Sequence, residues 1–194
     1  PGVSLEGQLA GENSWKEIVP LTKLEGHALK HIRVEEHLNL KFTRLRVRTY
    51  PDGGLTRMCV YDASLPKEEH SKFQVYNKAQ SLRFEDGIPA THKPLSIPAS
   101  FSEKEIESRW ENIKAKTEVN LASSILGAKV LNVSNEHYGP SSQMLSPFAP
   151  LNMFDGFESA RSRVSGHFET AHLQLAKAAV LDRAPGGLRV EQIP

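Results

Sequence analysis

The sequence predicts an all-β protein built as a β-sandwich. Three observations carry this reading. Several short runs alternate apolar and polar residues, a strong turn signal separates the two clearest of them, and only one run has a helical period. A chain of 194 residues is enough for one sizeable domain or two small ones. Its 13 glycines and 12 prolines suit a fold with many turns.

Val3-Ser4-Leu5-Glu6-Gly7 alternates and predicts a first strand, and Trp15-Lys16-Glu17-Ile18-Val19 predicts a second. Residues 41–50 form the clearest strand. Phe42, Leu45 and Val47 are apolar there, while Arg44, Arg46 and Arg48 share the wet face. Pro51-Asp52-Gly53-Gly54 then supplies a fixed φ followed by two residues tolerant of positive φ. Residues 55–61 return as a partner, so 41–61 is predicted as a β-hairpin. From 62 to 100 no period survives, which suggests a long connection between two units. Ser102 and Glu105 make a capping box, and Ile106, Trp110 and Ile113 lie at i, i+4 and i+7. An amphipathic helix over 103–115 follows, with Trp110 as its packing anchor. Strands resume at 128–133 and at 169–175, where Ala171, Leu173 and Leu175 alternate with Thr170, His172 and Gln174. Between them lies an irregular polar segment, 134–166, of the kind a sandwich presents as a functional loop at one end. The tail, 184–194, has a Pro-Gly-Gly turn and one short apolar run that the pattern does not place.

Composition narrows the function. Net charge is +1, so no global field draws the chain to nucleic acid or to an acidic membrane. The arginines at 44, 46 and 48 read as a solvated strand face or as salt-bridge partners, since no aromatic residues interleave with them. No apolar run approaches the ~20 residues of a membrane span. Cys59 is the single cysteine, so no intrachain disulfide forms and a reducing, intracellular and cytoplasmic setting is expected. Without a base beside it in sequence, Cys59 reads as an inert half-buried thiol. Pro1-Gly2-Val3-Ser4 carries neither an initiator Met nor a signal pattern, so the chain is expected to begin inside something longer or to have been processed. His27 and His31 have the spacing of ligands on one helical face, and His137 beside Glu136 is either a ligand or a loop residue. Neither makes a convincing metal set, so no metal is assigned and the cofactor is left unknown.

Any chemistry the chain performs is expected in segment 134–167. Ser134-Asn135-Glu136-His137-Tyr138-Gly139-Pro140 leads to Asp155-Gly156-Phe157-Glu158, then Arg161, Arg163, Gly166 and His167. Carboxylates with His move protons, and paired arginines fork onto a carboxylate. By composition alone the same segment also reads as a loop held by its own salt bridges. The order Ser-Asn-Glu-x-x-Gly-Pro, Asp-Gly-aromatic-Glu-Ser-x-Arg-x-Arg and Gly-His resembles the central signature of the allantoicase family. A second block, Phe42-Thr43-Arg44-Leu45-Arg46-Val47 with Tyr50-Pro51-Asp52-Gly53-Gly54-Leu55-Thr56-Arg57 and Val60-Tyr61, resembles the family's strand–PDGG–strand unit.

The resemblance implies tandem jelly-roll, galactose-binding-like sandwich repeats and an activity, the hydrolysis of allantoate to ureidoglycolate and urea. Within a family repeat the PDGG block follows the Asp-Gly block; here it precedes it. The expected organisation is therefore the end of a first repeat (1–62), a linker with the helix (63–118), the start of a second repeat (119–183) and an unplaced tail (184–194). Three completions stay open: absent segments, strands lent by a partner copy or larger assembly, or closure of the two halves on each other. Chemistry suggests Glu136, Asp155, Glu158 and His167 as the catalytic groups, with Asn135, Arg161 and Arg163 binding the substrate. Phe157 stands where the family has Trp, Ser159 for Thr, Ala160 where Arg is common, and Glu169-Thr170 is the nearest match to Asp-Trp. The alternative is therefore an allantoicase-like paralogue, impaired in catalysis, serving as a binding module or structural subunit.

Overall fold

A computed structural model describes residues 1–25, 29–32, 34, 40–61, 102–112, 119–148, 155–180 and 188–192. Their strands are β1 (Gly2–Leu9), β2 (Trp15–Lys23), β3 (Leu29–Ile32), β4 (Lys41–Tyr50), β5 (Gly54–Cys59), β6 (Lys129–Val133), β7 (Phe157–Glu158), β8 (Glu169–Val180) and β9 (Leu188–Gln192). They form a five-stranded sheet in the order β2-β1-β4-β8-β6 and a four-stranded sheet in the order β3-β9-β5-β7. Every pairing is antiparallel. The all-β sandwich expected from the alternating runs is what the chain forms.

The core follows the period-two pattern. Val3, Leu5, Leu45, Val47, Ala171, Leu173 and Leu175 turn inward from the larger sheet to meet Leu55, Met58 and Val60. Phe42 and Leu45 are three apart, which would put them on opposite faces of a regular strand. A register shift between Phe42 and Arg44 corrects this, and both rings and chains end fully buried. Gly7 makes room for the Phe42 ring: a Cβ there would stand 2.3 Å from Phe42 Cδ1. On the wet face Glu6 accepts from both Arg46 and Arg48, the latter at 3.0 Å, while Arg44 donates to Gln8 at 3.3 Å. Arg46 lies over the Trp15 ring at 4.7 Å. The arginine stripe is thus held by partners across the strands.

Strands from the two sides of segment 62–118 pair directly, because β4 lies between β1 and β8. That arrangement corrects the expected hairpin. β4 spends one edge on β1 and the other on β8, so β5 has no edge to join and crosses to the second sheet. Pro51-Asp52-Gly53-Gly54 is a corner between sheets. The tail, unplaced by pattern, enters as β9 between β3 and β5. In the irregular segment a short 3-10 turn, Ser141–Leu145, buries Met144 and Leu145 completely in the core.

The helix, α1 (Glu103–Glu111), starts at Ser102 with both arms of its capping box made. Trp110 donates its indole N–H to the Leu126 carbonyl at 3.0 Å, Arg109 donates to that of Ile125, and Lys177 sits 3.8 Å over the indole ring. Trp110 is the anchor expected of it. Ile113 and His27 lie outside the described residues.

Candidate functional site

Residues 134–138 leave the end of β6 and bind a different piece of the protein at almost every position. Ser134 donates its hydroxyl to Glu169 and accepts the Thr170 N–H at 2.8 Å. Asn135 accepts the Ala160 N–H at 2.8 Å through its side-chain oxygen. Glu136 accepts the Ser141 N–H at 2.7 Å, capping the 3-10 turn with its carboxylate. The N–H groups of His137 and Tyr138 both point to the Glu158 carbonyl. Gly139 then crosses Gly156 so closely that a Cβ on it would stand 1.8 Å from the Gly156 oxygen. Gly139 must be a glycine for that crossing.

The PDGG corner locks onto the same region. β5 pairs with β7 at Gly54–Glu158 and Leu55–Phe157. Ser162 donates its N–H to the Asp52 carboxylate at 2.6 Å, and Ser159 exchanges hydrogen bonds with the Gly53 backbone at 3.2 Å. Beneath them Arg57 and Asp155 form an ion pair at 3.0 Å, both about nine-tenths buried. Arg57 also donates to the carbonyls of Asp155, Thr56 and Phe148. A buried guanidinium with this many acceptors is a structural clamp, since an unpaired charge there would carry a heavy desolvation cost. The carboxylate of Asp155, expected to face substrate, faces Arg57.

The structure thus divides the expected site residues. Asn135, Glu136, Glu158 and His167 are drawn around the 134–138 segment, His167 through Glu169. Asp155 belongs to the clamp. Arg161 and Arg163 are exposed, and among the described residues they and the Glu158 carboxylate have no ion-pair or side-chain hydrogen-bond partner. Glu136 also lines a cavity of about 460 Å³ against β6, together with Ser124 and Gln143. The others do not border that cavity. Phe157, where the resemblance leads one to expect Trp, is 2% exposed and belongs to the core.

One residue went unassigned in the sequence reading. Glu169 is buried, and its carboxylate takes the ring Nε2 of His167 at 2.7 Å while Ser134 holds its other oxygen. The signal was a carboxylate two positions after the signature histidine, obscured because Glu169 also fits the strand that follows. Among the described residues no group of three or more His, Cys, Asp and Glu is arranged to hold a metal ion. No described helix is long and apolar enough to cross a membrane.

A two-sheet antiparallel sandwich with a tightly bonded loop end, carrying exposed arginines and a carboxylate-bound histidine, defines the class. Within it the model of the allantoicase repeat matches residues 4–64 and 119–185, and the chain belongs to that family. A probable allantoicase of Pseudomonas paraeruginosa is 27% identical over 192 residues, covering 94% of this chain and 45% of its own. One from Pseudomonas fluorescens is 30% identical over 173 residues, or 86% of this chain and 39% of its own. A probable allantoicase 2 of Burkholderia mallei is 30% identical over 169 residues, with coverage of 87% and 37%. The chain spans less than half the length of these relatives. No solved structure matches it.

Proposed function

We propose that this chain belongs to a hydrolase of purine breakdown that converts allantoate and water to ureidoglycolate and urea. One observation carries the reading: within one short loop the signature separates into residues spent on the frame and residues left over, and those left over suit the substrate. Allantoate carries one carboxylate and two ureido groups. Arg161 and Arg163 supply unpaired guanidinium groups for the carboxylate. Glu158 accepts a ureido N–H group, Glu136 has one carboxylate oxygen beyond the one that caps the turn, Asn135 fixes the backbone at Ala160, and His167 moves the proton. Asp155 acts beneath the site by holding Arg57.

In the reaction the oxygen of water bonds to the carbon bearing the leaving ureido nitrogen. That C–N bond breaks, and the departing nitrogen receives a proton to give urea. In this reading residues 1–62 are the end of one repeat and 119–183 the start of the next, joined by 63–118, and β9 from the tail pairs within the smaller sheet. Sheet edges at β2, β3, β6 and β7 give a second copy or a larger assembly places to add strands.

The test is urea release from allantoate by the purified chain. Wild type is expected to release urea, with Arg161→Ala raising KM roughly tenfold or more through loss of a charge-assisted bond. Glu158→Gln is expected to weaken turnover as well. A well-folded wild type that releases none sinks the proposal. The second reading, an allantoicase-like binding module without turnover, then stands. It draws on a specific observation: the carboxylates of Glu136 and Asp155 are already engaged within the protein.

A further inference from the structure

We infer that Glu169, with Ser134 behind it, is a positioning residue that sets the tautomer of His167 and thereby assigns proton transfer to ring atom Nδ1. The inference rests on the hydrolase reading for the use of that proton, and not for the tautomer itself. Three observations support it. Glu169 is 7% exposed, a burial that a carboxylate tolerates only with partners. Its two oxygens have different partners: Oε1 takes His167 Nε2 at 2.7 Å, and Oε2 takes the Ser134 hydroxyl. Ser134 is fixed in turn, because its oxygen accepts the Thr170 N–H and its own N–H donates to the Thr170 carbonyl at 2.9 Å. Ser134 is therefore fixed by two bonds of its own, and it holds one carboxylate oxygen while the other meets the imidazole.

An ionised carboxylate only accepts, so the nitrogen facing it must carry the hydrogen. His167 is then the Nε2–H tautomer, and its lone pair lies on Nδ1. Its side chain is 30% exposed, so the ring is within reach of a small molecule. Substrate water gives its proton to Nδ1 as its oxygen bonds to carbon, and Nδ1 passes that proton to the departing ureido nitrogen. The imidazole ends neutral, as it began, and Glu169 never changes its protonation. The same order of groups excludes Ser134 as a nucleophile: it donates to the carboxylate, and no imidazole accepts its hydrogen, as acyl transfer would require.

The readout is the tautomer of His167 in long-range ¹⁵N–¹H spectra of the uniformly labelled chain, its signal assigned with His167→Gln. Wild type is expected to show Nε2 protonated. Glu169→Gln offers the ring a donor as well as an acceptor and is expected to mix the tautomers, while Glu169→Asp keeps Nε2 protonated. Where urea release is measurable, Glu169→Gln should lower kcat on the order of a hundredfold with KM little changed, and Glu169→Asp should recover part of it. Should Glu169→Gln fail to fold, Ser134→Ala removes the second anchor and is expected to mix the tautomers partially. An Nδ1–H wild type, or a Glu169→Gln spectrum identical to wild type, overturns the inference. A chain with the expected spectra and no urea release overturns the hydrolase reading alone.

Discussion

The PDGG corner with its partners and the exposed end of the 155–167 run come from the same two signature blocks, yet they differ in almost every physical respect. At the corner Asp52, Gly53, Arg57, Asp155, Ser159 and Ser162 bind one another, mostly out of water. A few residues on, Arg161 and Arg163 stand in solvent. The lesson is that a motif can be shared for two reasons at once. Half of this one keeps two pieces of backbone in register, and the other half depends on that register to place charges.

Variants sharpen the contrast. The largest expected effect is at the clamp. Asp155→Ala leaves Arg57 buried without its carboxylate and should cost about 3–5 kcal/mol, measured by urea denaturation. Arg161→Ala in the same assay should stay within about 0.5 kcal/mol, as an exposed side chain without partners. Equal losses at the two positions would erase the distinction between frame and site.

Next comes the crossing of the signature glycines. Gly139→Ala places a methyl 1.8 Å from the Gly156 oxygen, and a backbone atom cannot swing aside as a side-chain tip can. About 1–3 kcal/mol or more should be lost, with amide shifts spreading to 156–160. A variant as stable as wild type would show the two segments free to separate.

The smallest effect concerns pH, away from both regions. Burial, followed by the nearby Arg46, holds His172 below its ordinary imidazole value. The unfolded chain then binds this proton more readily than the fold does, so stability falls as pH drops below about 6.5. At neutral pH and above, the contribution vanishes. His172→Gln should flatten part of the decline in Tm between about pH 6.5 and 5, slightly, because the ring is partly open to solvent. A steeper decline in the variant would mean that the folded chain binds this proton more readily than the unfolded one.

Much of this was legible locally. Alternation in residues 45–49 and 171–175 identifies which side chains are buried, because period two assigns faces, whereas Phe42 is buried only through a register shift. Ser102 and Glu105 announce the helix start, and the order of the signature residues announces the family. Edges are another matter. Nothing in the local pattern of 55–61 says whether that strand pairs with β4 or crosses to the other sheet, since both bury the same side chains. The choice fell to the tertiary structure, in which β1 and β8 had already taken both edges of β4. The same competition gave the tail its place as β9, and the fold alone turned Asp155 toward Arg57 and Glu169 toward His167. Sequence by itself determined the alternating strands, the helix cap and the family; contacts between residues about a hundred positions apart decided which of the signature residues hold the frame and which stay exposed.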